Sequence, residues 1–247
     1  MKFTRLDQTK TLAYVRAQLA EQPWGKPDRN EWEAAWAEQP ETTPGYLTAK
    51  VGQIKRYEGQ FVLPEDPEQE IHWLADVRAE AMGWMASYDW IYEFGCGSGQ
   101  NLAEFRKVWP EKKLVGLDWS GAAVTHAGKI AIGRHFNFYR PDWRLDLPPS
   151  TAVFTMHALE QTGDRYGEFL EWCRVKKPEV CVHIEPIVDW LDDTPFDGLM
   201  REYMTRRDLL SGLPAAVRNF GTVLHEKRNR FGSMFIEAYS VLVWRPE

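Results

Sequence analysis

Three cysteines in 247 residues, Cys96, Cys173 and Cys181, make neither a disulfide framework nor the paired spacing of a zinc site, and they read as reduced thiols. No apolar run approaches the ~18 residues that a membrane span requires, and no charged-then-apolar leader is visible. A cytoplasmic protein with no membrane partner is expected. Lys and Arg number 30 against 36 Asp and Glu, a formal charge of −6, so the chain lacks the overall basic character that phosphate backbones attract. Nucleic acid is not an expected partner. Internal repeats and low-complexity tracts are absent, nothing in the sequence sets an oligomeric state, and no His, Cys or acid spacing demands a metal, so none is expected. What the chain does have is a 44% hydrophobic content, ample for a core, and twelve tryptophans. Trp24, Trp32, Trp36, Trp73 and Trp84 all precede residue 90. They read first as packing anchors, with aromatic walls around a substrate as the alternative.

The most informative stretch spans residues 90–102. Trp90, Ile91, Tyr92 and Phe94 form a short apolar run that breaks into Gly95, Gly97 and Gly99, after which Leu102, Phe105, Val108 and Trp109 recur at helical spacing up to Pro110. Strand, tight turn and helix are expected in that order. A glycine turn lets a ligand approach the backbone, and the helix start beyond it offers free N–H groups. Residues 113–118 read as a second buried strand ending in Asp118, where a Rossmann-like unit places its ribose-hydroxyl acceptor. The dinucleotide fingerprint would need a glycine at position 100, which is Gln100.

On Glu93, Gly95, Gly97 and Gly99 the chain resembles the class I S-adenosylmethionine-dependent methyltransferases, whose first motif is acid-x-Gly-x-Gly-x-Gly. The resemblance implies an α/β fold with a doubly wound, mostly parallel seven-stranded sheet, an antiparallel C-terminal hairpin and S-adenosylmethionine as cofactor. It implies cofactor-binding roles for those four residues, for Asp118 with Trp119, and for Asp142 and Trp143, the acid facing the adenine amino group and the ring lying against the base. Leu159-Glu160-Gln161 is a variant of a tripeptide found in the family after strand four. Thr155-Met156-His157-Ala158 departs from the Asn- or Asp-Pro-Pro-aromatic signature of DNA-adenine methylating relatives, which disfavours methylation of a base amino group. The segments around 157–161 and 183–187 look similar to bacterial sugar O-methyltransferases.

The chain divides into an N-terminal helical cover and lid over 1–87 and a methyltransferase domain over 88–247, with a helical insertion at about 188–221. Helices are expected over 4–22, 31–38, 68–87, 121–133 and 164–174. Strands are expected at Phe136 and Phe138, over 151–156 and 179–185, and over 222–226 and 233–244 as the closing pair. Residues 46–61 lack clean periodicity, and ahead of the first strand they are the expected lid, bringing Tyr46 and Tyr57 to the substrate. Tyr203, in the insertion, and Glu160 are expected to join them.

Methyl transfer to a hydroxyl needs a base, because an alcohol is a poor nucleophile at neutral pH. His157, at the end of strand four, is the first choice and Glu185, at the end of strand five, the second, as base, hydroxyl acceptor or metal ligand. The functional expectation is a small hydroxylated acceptor, a sugar or nucleotide-activated sugar. An amine acceptor, which would need no base, and a non-catalytic cofactor-binding subunit are the alternatives.

Overall fold

The computed structural model describes residues 2–38 and 52–247. Strand β1 (Phe3–Arg5) leads to α1 (Gln8–Ala20), where Asp7 caps the helix by accepting from the Lys10 N–H, and α2 (Arg29–Glu38) follows. Strands β2 (Lys55–Tyr57) and β3 (Gln60–Pro64) form a hairpin whose turn residues, Glu58 and Gly59, both have positive φ. Helix α3 (Gln69–Met85) then precedes β4 (Trp90–Phe94), α4 (Gln100–Val108), β5 (Lys113–Asp118), α5 (Gly121–Ala127), β6 (Ile132–His135) and β7 (Thr151–Met156). After a 3₁₀ turn (Leu159–Thr162) come α6 (Gly167–Lys176), β8 (Val180–Glu185), α7 (Pro195–Arg206) and α8 (Leu213–Val217). Strands β9 (Gly221–Lys227), β10 (Phe231–Ser233) and β11 (Ser240–Pro246) close the chain.

The main sheet has seven strands in the order β6-β5-β4-β7-β8-β11-β9. The first five are parallel, and β11 is antiparallel to both β8 and β9. Strands β4, β7 and β8 are buried on both faces, which is why their sequences run as near-continuous apolar stretches instead of alternating. One face packs on Leu74, Val77 and Ala81 of α3 and on Leu102 and Phe105 of α4, and the other on Phe169, Leu170 and Trp172 of α6 and on Val217 of α8. The chain moves outward from β4 to β6 and returns to the opposite side at β7. The carboxyl ends of β4 and β7 therefore flank the crevice where an open α/β sheet binds its ligand.

Several boundaries differ from the sequence expectation. The helix after Asp118 ends at Ala127, and the third strand occupies Ile132–His135, leaving Phe136 and Phe138 in the loop beyond it. Residues 233–244 are not one strand, because the chain bends between β10 and β11. Strand β10 pairs with β2 in a second, antiparallel sheet of order β1-β3-β2-β10. The N-terminal cover is thus part helix and part sheet, and its sheet takes one strand from the far end of the chain. Segment 46–61 resolves in its described part into β2 and the start of β3.

Phe94 is fully buried between Phe136, Phe169 and Trp172, with ring centroids 4.6, 5.2 and 5.3 Å away. Phe94→Ala should cost about 3–5 kcal/mol of unfolding free energy through lost burial and a cavity behind the glycine turn, read as a lower urea midpoint with unchanged slope.

Candidate functional site

The turn after β4 takes its shape from three glycines at positive φ, Gly95 (+69°), Gly97 (+51°) and Gly99 (+78°). Each meets something different. A Cβ at Gly95 would lie 2.2 Å from the Ala158 Cβ, so the β4 and β7 turns can touch only because the side chain is absent. At Gly97 it would lie 2.6 Å from the Trp36 ring, and at Gly99 it would lie 3.2 Å from the Ala127 Cα, where α4 packs on α5. Gly99 therefore serves helix packing and lines neither of the cavities described below.

Buried carboxylates hold this turn. Asp118 Oδ2 accepts from the Gly97 N–H (3.0 Å) and Oδ1 from the Ser120 N–H (2.9 Å). Desolvation raises the Asp118 pKa, and the hydrogen bonds from Ser120 and Gly97 oppose the rise. Glu93 is pushed up to about 8 by burial, against a hydrogen bond from Asn101 Nδ2 to its Oε1 (2.6 Å); Asn101 Oδ1 in turn accepts from Arg78 Nε at 2.6 Å. The other oxygen, Glu93 Oε2, is buried with no hydrogen-bond partner among the described residues. An unmatched buried polar atom of this kind costs free energy that a hydrogen bond to a ligand would recover.

Two cavities meet here. The larger, about 450 Å³ and within the usual size of small-molecule sites (roughly 300–1,000 Å³), is lined by Glu93, Gly95, Gly97, His157, Glu160 and Tyr203 among others. The smaller is lined by Gly95, Asp118, Trp119 and the Phe136–Tyr139 loop. Trp32, Trp36, Gly95, His157 and Gln161 border both. Trp36 and Trp32, one helical turn apart on α2, stack at 5.8 Å. Helix α2 is fastened over the crevice by Glu33, whose Oε2 and Oε1 accept from the N–H groups of Gly121 (2.7 Å) and Ala122 (3.0 Å) at the start of α5, and by His126 Nε2, 3.0 Å from the Trp36 carbonyl.

His157 ends β7 in the left-handed region (φ +53°), a conformation that costs an ordinary residue about 1–3 kcal/mol and concentrates at functional sites. Its Nδ1 is 3.8 Å from Glu160 Oε2, and its ring lies 5.0 Å from that of Tyr239. Tyr203 reaches the larger cavity from α7, stacked on Phe235 at 5.1 Å.

Other expected site residues lie elsewhere. Asp142 is half-buried and accepts from the Arg144 N–H and Nε, and Trp143 is 43% exposed; neither lines either cavity, and the third-strand side of the crevice is formed by residues 136–139. Tyr57 packs between Phe3 and Trp73, away from both cavities. Tyr46 falls outside the described residues. Glu185 is fully buried beneath the turn after β7, where Oε1 accepts from Thr155 Oγ1 (2.8 Å) and the N–H groups of Ala158 (3.3 Å) and Leu159 (3.0 Å), and Oε2 from that of Glu160 (3.1 Å). Facing backbone donors and lining neither cavity, it is not placed to act as a base on a substrate. His183 beside it is buried between Thr155 and Trp244, and desolvation lowers its pKa to about 3. The site features that the sequence did not disclose are the Glu33 fastening and the 136–139 wall. Alternating Phe136 and Phe138 gave a signal, but one that matches a strand.

No family model matches the chain. A trans-aconitate 2-methyltransferase of Escherichia coli O157:H7 is 24% identical over 147 residues, 56% of this chain and 56% of the relative. The chain thus matches little more than half the length of its curated relatives. Among solved structures, the 4+2 cyclase SpnF superposes with a TM-score of 0.57 at 12% identity, covering 92% of this chain and 99% of that one. Human N-acetylserotonin methyltransferase in complex with SAM superposes at 0.52 and 12% identity, over 72% of this chain and 54% of that one. The fold is that of the class I methyltransferases. The residues of the crevice fit that fold's cofactor: Glu93, with one oxygen lacking a partner among the described residues, borders the larger cavity, and Asp118 faces the smaller one, walled by aromatic residues 136–139.

Gly97→Val should abolish S-adenosylhomocysteine binding in calorimetry at a folding cost of about 1–3 kcal/mol, because the new side chain meets both a positive φ and the Trp36 ring. Acid should destabilise the protein through His183, which stays neutral when folded down to about 3 while the unfolded chain takes up a proton near 6.5. Its contribution is complete above about 6.5 and is lost as pH falls below that, by up to about 1.4 kcal/mol per pH unit. Urea midpoints compared between wild type and His183→Gln at pH 7 and pH 4.5 should show the smaller acid loss in the variant.

Proposed function

We propose that this chain is a cytoplasmic S-adenosylmethionine-dependent methyltransferase that methylates a hydroxyl of a small molecule, with an uncharged sugar as the favoured class. The carrying observation is the position of His157, which closes β7 at the border of both cavities with Glu160 3.8 Å from its Nδ1. The fold and the E. coli relative support the reaction class. Bound in the crevice, S-adenosylmethionine supplies an electrophilic methyl carbon. Glu93, Gly95, Gly97, Asp118 and Trp119 would hold and orient it, and Trp32 and Trp36 would exclude water from above. The remaining work is to bring an acceptor oxygen into line and take its proton, a positioning task in which proximity carries most of the rate gain. His157 would take that proton, with Glu160 as the acid that orients the ring and steadies the imidazolium; Glu160 and Tyr203 would also bind acceptor hydroxyls.

Charge narrows the acceptor. The two cavities carry Glu93, Asp118 and Glu160 and, among the described residues, no Lys or Arg. Bringing a phosphate or carboxylate beside acids whose own charge burial already opposes, with no cation to offset it among the described lining residues, is unfavourable, which supports a plain sugar over a nucleotide-activated one. The same acids, with the stacked Trp32 and Trp36, favour an amine acceptor as the second reading. Among the described residues no helix is long and apolar enough to cross a membrane, and the net charge of −6 does not favour nucleic acid as substrate.

The test begins with labelled-methyl uptake from a panel of sugars, sugar nucleotides and small amines. With the acceptor found, His157→Ala should leave S-adenosylhomocysteine affinity within about twofold and lower turnover by about 10² to 10⁴. The variant's residual rate on a hydroxyl acceptor should lose its dependence on a near-neutral titration. Near-normal turnover in His157→Ala would refute the base, and pH dependence persisting on an amine would establish the second reading.

A further inference from the structure

A one-directional chain of buried hydrogen bonds runs from the last strand to the His157 turn. The Trp244 indole can only donate, and its Nε1 lies 2.9 Å from His183 Nε2. That nitrogen must accept, so the His183 proton sits on Nδ1 and points to Thr155 Oγ1 at 2.9 Å. The Thr155 hydroxyl then has its own proton to give, and it gives it to Glu185 Oε1 at 2.8 Å. Glu185 receives the N–H groups of Ala158, Leu159 and Glu160 from the opposite side. The 3₁₀ turn over Leu159–Thr162 has no side-chain cap from Ala158, so a carboxylate from the neighbouring strand does that work. The residue just before these three amides is His157, at φ +53°, with its N–H bonded to the Ile184 carbonyl at 3.1 Å.

We propose that Glu185, oriented through Thr155, His183 and Trp244, is a positioning residue that clamps the 158–160 amides and so holds His157 and Glu160 at the reacting end of the crevice. Its bearing on turnover rests on the methyl-transfer reading above; the clamp itself does not. Every donor in the chain ends on this one carboxylate, whose lone pairs can serve four hydrogen bonds at once. Thr155 is the link to remove, because valine keeps its shape and deletes only the hydroxyl.

The experiment compares wild type, Thr155→Val and Thr155→Ser by amide hydrogen exchange, S-adenosylhomocysteine calorimetry and turnover. In Thr155→Val, exchange at 158–160 should accelerate about tenfold or more while β4 and β5 are unchanged, as release of a charge-assisted bond at one turn dictates. Cofactor affinity should stay within about twofold, and turnover should fall about tenfold or more with little change in the acceptor KM. Thr155→Ser should restore exchange and turnover. Unchanged exchange at 158–160, or acceleration spread evenly through the sheet, overturns the proposal. If Thr155→Val does not fold, Trp244→Phe, which breaks the far end of the chain of bonds, is read by the same criteria. Absence of S-adenosylhomocysteine binding in wild type would sink the methyltransferase reading alone, because exchange still decides the clamp.

Discussion

The site is built on carboxylic acids buried at or near the carboxyl ends of the parallel strands, each of which accepts donors from a neighbouring turn or helix start. Asp118 closes β5 and holds Gly97 and Ser120; Glu185 closes β8 and holds residues 158–160; Glu93, one residue from the end of β4, holds Asn101. Burying an acid is costly unless donors converge on it, and the same convergence fixes backbone that has no regular structure of its own. Burial raises the pKa of all three acids, so the interior opposes the charged form that the converging donors favour. Crevice geometry and crevice electrostatics therefore have one origin.

The parallel half of the sheet was legible because its strands are apolar on both faces and its turns are written in glycine. Four of its five strands lie within two residues of where hydrophobic runs placed them. The exception, β6, is an edge strand reading Ile132-Gly-Arg-His135 with Ile132 44% exposed, so it carries no apolar signal, and the pattern moved to the phenylalanines beyond it. The β2–β3 hairpin was hidden for the opposite reason. Lys55 and Arg56 are fully buried and read as surface residues until their partners, Glu70 and Asp197, are known.

Glu93, Gly95 and Gly97 come together at the crevice because their spacing is local to one strand-turn-helix unit. Partners far apart in sequence were not legible: Trp36 against Gly97, Glu33 against α5, and Trp244 against His183. Asp142 shows the converse, where a motif position was matched in sequence and the side chain is taken up by Arg144 at the surface. Glu185 shows that a residue at the right end of the right strand can face backbone amides and not the cavity.

The four-stranded sheet has a consequence for the order in which the molecule assembles. Its β1, β2 and β3 come from the first 64 residues, but β10 begins at Phe231, and Arg228 beside it bonds Asp197 and Glu237. During synthesis the N-terminal layer must wait, with the β2 edge unpaired, until β10 has emerged. Contacts of such long sequence separation form slowly because loop closure precedes their reward. The parallel sheet can collect its strands as they appear, whereas the four-stranded sheet is finished only when β10 joins β2.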